Sequence, residues 1–220
     1  MIKLAPSIMC ADFLALRDQL DLFAEVKADY LHIDIMDGHY VPNFTLGPDI
    51  CRTLCDYSPI PLDIHLMIEN VDNYIERFAG MGTPLLSIHP EAGYHPLRSI
   101  DYIKKNDAVA GIAIDPATPI EAIKYILPDI SMVCVMAVSP GYSGQKLLPQ
   151  AIDKIRELKE YTQERGYDID IEVDGNVSWE HIPAMVSAGA NILVLGTSSL
   201  YDGKGDLRTN FRRLRELVAE

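Results

Sequence analysis

The chain has 220 residues, 48% of them hydrophobic, and a formal net charge of −13. That length suits one α/β domain spanning residues 1–220 with a sizeable core, and an acidic chain with no basic run argues against nucleic acid as a partner. No apolar run approaches the roughly 20 residues of a membrane span, and the opening MIKLAPSIMCADF is interrupted by Asp12 and lacks the layout of a cleavable signal, so the expectation is a cytoplasmic protein with no membrane partner.

Short apolar runs alternate with longer helical patterns from end to end. The runs at 3–9, 30–36, 62–68, 85–91, 109–115, 132–138, 168–174 and 192–198 read as strands. Helical patterns fall between and after them, at 13–26, 47–56, 71–80, 96–106, 119–127, 148–165, 178–188 and 207–219. Eight strand–helix units in a chain of this size predict a (β/α)8 TIM barrel. Cys10, Cys51, Cys55 and Cys134 form no CxxC pair. Cys51 and Cys55 share a face of one predicted helix, which suits buried or half-buried free thiols better than a bridge or a metal site.

In such a barrel, alternate strand residues point inward, and those near the C-terminal strand ends face the active-site mouth. The second strand, within HIDIMDGHYVPN, sends His32, Asp34 and Met36 inward while Leu31, Ile33 and Ile35 pack outward. The third strand offers Asp63, His65 and Met67, the sixth Cys134, Met136 and Val138, and the seventh Glu172 and Asp174. Two histidines and two aspartates, His32, Asp34, His65 and Asp174, thus converge. That donor set suits one divalent ion per chain, Zn, Fe, Mn or Co. Asp63 and Glu172 lie one layer deeper, where they would orient a ligand ring or form a plain polar core pair. Met36, Met67 and Met136 would give an apolar wall that shields a carbanion-like intermediate from water, or simply pack.

Glycine-containing turns follow the last three strands: PGYSG (140–144), DGN (174–176) and LGTS (195–198). Glycines let backbone N–H groups approach an anion closely, and loops after the last barrel strands often hold phosphate.

These residues carry a resemblance across essentially the whole chain. The motifs APSIMCADF, HIDIMDGHYVPN, LDIHLM, DPATP, PGYSGQ, EVDGN and LGTSSLY resemble the ribulose-phosphate 3-epimerase family of ribulose-phosphate-binding barrels. The resemblance implies a metal-dependent isomerase acting on a sugar phosphate. Its metal ligands would be His32, Asp34, His65 and Asp174, and the two aspartates would also move protons. Substrate contacts would come from Ser7, His65 and Asp174. Phosphate contacts would come from Gly141, Tyr142, Ser143, Gly144, Gly175, Asn176, Gly196 and Thr197. A homo-oligomer is the expected assembly. Where ribulose 5-phosphate epimerases usually read DGG and a GSA-like turn, this chain reads DGN and GTSSLY. Both features look closer to the D-allulose-6-phosphate 3-epimerase branch. The expected reaction is therefore allulose 6-phosphate to fructose 6-phosphate, with ribulose 5-phosphate to xylulose 5-phosphate as the alternative. A Schiff-base aldolase would need an inward lysine near a strand's C-terminal end, and none is present. A non-catalytic barrel that binds a metal and a phosphorylated ligand is the remaining rival.

Overall fold

The computed structural model describes residues 1–219. Its strands are β1 (Lys3–Pro6), β2 (Leu31–Met36), β3 (Leu62–Met67), β4 (Leu85–Ile88), β5 (Val109–Ile114), β6 (Met132–Met136), β7 (Asp170–Asp174) and β8 (Ile192–Leu195). The helices are α1 (Leu16–Glu25), α2 (Pro48–Tyr57), α3 (Ile75–Ala79), α4 (Pro96–Lys105), α5 (Gln150–Arg165), α6 (Ile182–Ala188) and α7 (Leu207–Leu217). The strands form one parallel sheet in the order β1-β8-β7-β6-β5-β4-β3-β2. The seam between β1 and β2 carries a single parallel bridge, Ser7 to His32. Below it, the Asp29 carboxylate accepts the Leu4 N–H at 2.8 Å, and the Asp29 N–H donates back to the Leu4 carbonyl at 3.0 Å. The expected (β/α)8 barrel is present. No described helix is long and apolar enough to cross a membrane.

The alternation read from the sequence sorts the core into two layers. Leu31, Ile33 and Ile35 join the shell between sheet and helices, together with helix residues such as Phe23, Phe78 and Leu158. Ala5, Ala113, Cys134, Met136 and Ile192 form a smaller cluster inside the barrel. The expected strands 3–9, 85–91 and 192–198 end earlier, at Pro6, Ile88 and Leu195. Beyond those points the chain leaves the ladder for turns at the mouth, beginning at Ile8, Pro90 and Gly196. Cys51 is buried, Cys55 half-buried, and both are free.

One predicted helix is corrected. Residues 119–127 form no α-helix; the connection after β5 consists of 3-10 turns at Ile120–Ala122 and Leu127–Asp129. The segment lies between Pro119 and Pro128, which leaves little more than two α-turns between residues that interrupt helical hydrogen bonding. Its buried isoleucines, Ile120, Ile123 and Ile126, recur every three residues. That spacing eclipses on a 3-10 turn, which has three residues per turn, and drifts on an α-helix.

The same connection is held from the opposite side. Lys154 on α5 donates from Nζ to the carbonyls of Asp115 at 3.0 Å, Pro116 at 2.6 Å and Thr118 at 2.7 Å. The ammonium thus satisfies three backbone acceptors of the DPATP turn. Replacing it with the similarly long Met removes all three bonds, so Lys154→Met should lower unfolding free energy by about 1–3 kcal/mol. Denaturant unfolding checks this; an unchanged midpoint would show that water replaces the ammonium.

Candidate active site

The register places the polar residues at matching heights. His32 pairs with Asp63, Asp34 with His65, and Met36 with Met67 across β2 and β3. On the other wall Cys134 pairs with Glu172 and Met136 with Asp174 across β6 and β7. His32, Asp34, His65 and Asp174 meet as expected: one donor atom from each lies within 4.8 Å of the others. His32 Nε2 and His65 Nδ1 each lie 3.3 Å from Asp34 Oδ1, and His65 Nδ1 lies 3.8 Å from Asp174 Oδ2. The histidines are fully buried, whereas Asp174 keeps 17% of its side chain exposed and opens to the mouth.

Electrostatics follow from that crowding. Burial works against a charge on His32, but Asp63 and Asp34 outweigh it and pull its pKa well above the usual range. Burial also opposes charge on Asp34, yet the His32 charge and hydrogen bond, with His65 beside them, hold its carboxyl below the ordinary value. Asp174 moves the other way. Burial, then the neighbouring Asp34 charge, pushes it up to about 6. Two carboxyls in one site are thereby driven toward opposite protonation states, the arrangement that separates a base from an acid.

The deeper residues are not passive. His32 Nδ1 donates to Asp63 Oδ2 at 2.6 Å, which leaves Nε2 aimed at the cluster. Glu172 is fully buried and both its oxygens lack a hydrogen-bond partner. Burial first, and then the Asp63 charge, raise its pKa well above normal, which favours the neutral acid. His32, Asp63 and Glu172 also converge within 4.8 Å. The short His32–Asp63 bond accounts for that grouping as support for the ring.

These residues fit a divalent ion on the chemistry of their donors. Two imidazoles and two carboxylates supply four nitrogen and oxygen atoms. His65 Nδ1 is buried without a hydrogen-bond partner, although it faces two carboxylates.

Above the cluster opens a cleft toward the barrel mouth. Asp34 and Asp174 lie in its wall beside Ser7, whose Oγ donates to Asp34 Oδ2 at 3.5 Å. Met36, Met67 and Met136 line it too, joined by Met9, which sequence reasoning passed over although it sits in the same APSIM motif. All the expected phosphate residues reach the cleft: Gly141, Tyr142, Ser143 and Gly144 after β6, Gly175 and Asn176 after β7, Gly196 and Thr197 after β8. Gly175 has φ +106°, and a Cβ there would collide with the Val138 side chain. A Cβ on Gly141 would lie 3.0 Å from Val41 Cβ. Among the described residues no lysine lines the cleft, and Lys3 sits at the far end of the barrel, paired with Asp170 at 2.6 Å.

Asn176 does something the sequence did not reveal. It adopts φ +47°, and its side-chain amide donates to the Gln145 carbonyl at 2.7 Å. Ser198 Oγ lies 3.4 Å from the same nitrogen. Gln145 in turn donates to the carbonyls of Ser139 at 2.6 Å and Tyr142 at 3.0 Å. The three glycine turns are stitched to one another. His89 was also missed. It is fully buried with Nε2 2.9 Å from His65 Nε2. Extending the inward alternation of Leu85 and Ser87 by one step would have found it.

Comparison with known proteins agrees with this geometry. The model of the Ribulose-phosphate 3 epimerase family matches residues 3–200. A ribulose-phosphate 3-epimerase of Bacillus subtilis is 44% identical, covering 98% of this chain and 99% of its own length. Those of Methanocaldococcus jannaschii and Escherichia coli are 43% and 40% identical; they cover 100% and 90% of this chain, and 92% and 88% of their own. These relatives are named for ribulose phosphate, not for allulose 6-phosphate. A solved tryptophan synthase alpha-subunit mutant of Pyrococcus furiosus superposes with a TM-score of 0.68, covering 100% of this chain and 98% of that one. At 18% identity it is like this chain in fold. With a family match over nearly the whole barrel and full-length relatives at 40–44% identity, the chain belongs to the ribulose-phosphate 3-epimerase family, a family of isomerases.

Proposed function

We propose that the chain inverts C3 of a ketose phosphate by two-aspartate proton transfer, interconverting D-ribulose 5-phosphate and D-xylulose 5-phosphate. The single observation that carries the reaction is the pair Asp34 and Asp174. They open into one cleft from strands three places apart around the barrel, and their environments drive their protonation in opposite directions. The relatives' names support ribulose 5-phosphate over the allulose 6-phosphate expected from DGN and GTSSLY. So does Asn176, whose amide is already engaged by the Gln145 carbonyl.

Inversion requires a proton to leave C3 on one face and another to arrive on the opposite face. As the carboxylate, Asp34 takes the C3 proton while the electron pair passes toward the C2 carbonyl. Asp174, as the carboxylic acid, returns a proton to C3 from the other side. In the reverse direction the roles exchange. His32, Asp34, His65 and Asp174 would hold one divalent ion, Zn, Fe, Mn or Co, whose positive charge supplies Lewis-acid stabilisation for the enediolate. Ser7 steadies Asp34 through its hydroxyl. The methionines exclude water from the reacting carbon without offering a competing proton. The backbone and hydroxyl groups of the three turns bind the phosphate and so fix C3 between the acids.

Purified protein should bind about one divalent transition ion per chain. Chelation should abolish epimerase turnover and Zn²⁺, Mn²⁺ or Co²⁺ should restore it; full activity in rigorously metal-free protein would sink the mechanism.

Asp34→Asn and Asp174→Asn should each lower kcat by about 10²- to 10⁴-fold, the usual contribution of a positioned acid or base. One of the two should still exchange the C3 proton of a single epimer with solvent, read by NMR in D₂O. Near-normal epimerisation by both variants would rule out a two-acid path.

Parallel assays should give a higher kcat/KM for ribulose 5-phosphate than for allulose 6-phosphate. Asn176→Gly should raise KM for both substrates by a similar factor, because it loosens the phosphate turns without removing a substrate contact. A selective change toward one substrate would instead make Asn176 a specificity residue and revive the allulose reading.

A further inference from the structure

His89 is the buried imidazole that the mechanism above leaves unused. It follows β4 directly, with an extended backbone (φ −79°, ψ 128°), and its carbonyl accepts the Ala92 N–H at 3.0 Å. Its ring has two ring neighbours: the His65 centroid is 5.0 Å away, and the Tyr40 centroid, from the loop after β2, is 4.8 Å away.

We infer that His89 is a positioning residue for His65: by accepting the Nε2 proton of His65 it fixes that ring's orientation and tautomer, so that Nδ1 faces the ion. This rests on the metal centre proposed above. Two ring nitrogens 2.9 Å apart must share one proton, with one side donating and the other accepting. An imidazole that binds a cation through Nδ1 carries its proton on Nε2. His65 is then the donor, and His89 accepts with its own Nε2 and keeps its proton on Nδ1. Nδ1 of His89 is buried with no hydrogen-bond partner. An orphaned N–H is unfavourable in a closed interior, and an apolar side chain would fill the same space without it. The bond to His65 is what a histidine adds here.

The two ligand histidines are thus supported differently. His32 leans on a carboxylate, Asp63, at 2.6 Å, whereas His65 leans on a neutral imidazole. Partners of this kind orient a ligand ring and tune its basicity. Tyr40 packs beside this pair, its ring 4.8 Å from that of His89 and tilted by 39°.

The test is Zn²⁺ affinity of the folded protein, measured by competition with a chromophoric chelator, for the parent, His89→Leu and His89→Gln. Leu keeps the bulk and removes the acceptor; Gln keeps an acceptor oxygen. His89→Leu should weaken Zn²⁺ binding by about 10- to 100-fold, the range for loss of a ligand's supporting partner. His89→Gln should stay close to the parent. Metal-free His89→Leu should melt close to the metal-free parent, since the orphaned His89 N–H is gone while the His65 Nε2–H loses its acceptor. The ligand-field spectrum of the Co²⁺-loaded protein should change in the Leu variant and persist in the Gln variant. Parent-like affinity in His89→Leu, or equal losses in both variants, would overturn the inference while leaving the metal centre standing. A parent that binds neither Zn²⁺ nor Co²⁺ would overturn the metal reading itself, and this inference with it.

Discussion

A charge placed inside an apolar barrel is costly by several kcal/mol unless something pairs it. This barrel buries Asp34, Asp63, Glu172, His32, His65 and His89 within one interior. Every other feature of the site follows from how those groups satisfy one another. His32 is pinned between Asp63 and Asp34, whose charges outweigh burial and raise its pKa. Glu172 has no hydrogen-bond partner, and burial with the Asp63 charge shifts it toward its protonated form. His89, remote from the carboxylates, is held neutral by burial and then by the nearby His65. Asp174 is the outermost member, and Asp34's charge reaches it without a compensating hydrogen bond, so its carboxyl sits near the boundary between charged and neutral. A group poised there can both accept and donate a proton, which is what a reversible epimerisation needs.

The same economy shapes the mouth. The β1–β2 seam carries one bridge, Ser7 to His32, and both residues belong to the site. The loop after β2 folds back on its own strand. Thr45 Oγ1 donates to the Asp34 carbonyl at 2.6 Å and accepts the Met36 N–H at 2.9 Å, which fixes the strand end that presents Asp34. Asn43 then reaches across to the Gly141 carbonyl at 2.9 Å. The lip of the proton-transfer wall and the lip of the phosphate wall are joined by one side chain.

Much of this was legible in the residue order. Strict alternation on β2, β3 and β7 gave both the outward apolar shell and the inward donors, because a strand has only two faces. What escaped needed information that a local pattern does not hold. His89 is the exception: it falls inside the run read as a strand at 85–91 and on the inward alternation of Leu85 and Ser87, so the local pattern held it although the ladder stops at Ile88. The connection after β5 looked helical because its isoleucines are regularly spaced; the flanking prolines and the exact period of three distinguish a 3-10 turn from an α-helix. The partner of Asn176 lies 31 residues away in sequence, on another loop, and only closure of the barrel brings the two together. The divergence of Asp34 and Asp174 was likewise invisible, since it depends on three-dimensional neighbours rather than on residue type.

An acidic protein that takes an anion must do so without relying on its overall field. Net charge is −13, and neither lysine nor arginine lines the cleft among the described residues. On the proposed reading, attraction comes from short-range, directed groups that line the cleft: backbone N–H donors of the glycine turns, and hydroxyls of Ser143, Thr197 and Ser198. Such donors work only if their geometry is held, which a diffuse positive patch would not require. The stitching through Asn176 and Gln145 supplies that rigidity. Strand β7 makes the consequence direct. Asp174 ends it, and Gly175 and Asn176 follow immediately, so the proposed proton carrier and the proposed phosphate turn are neighbours on one stretch of backbone. Movement of the turn is movement of the acid. On the proposed reading, the phosphate's binding energy is therefore transmitted to the reacting carbon through three consecutive residues, with no separate relay between the place where the substrate is held and the place where its proton is exchanged.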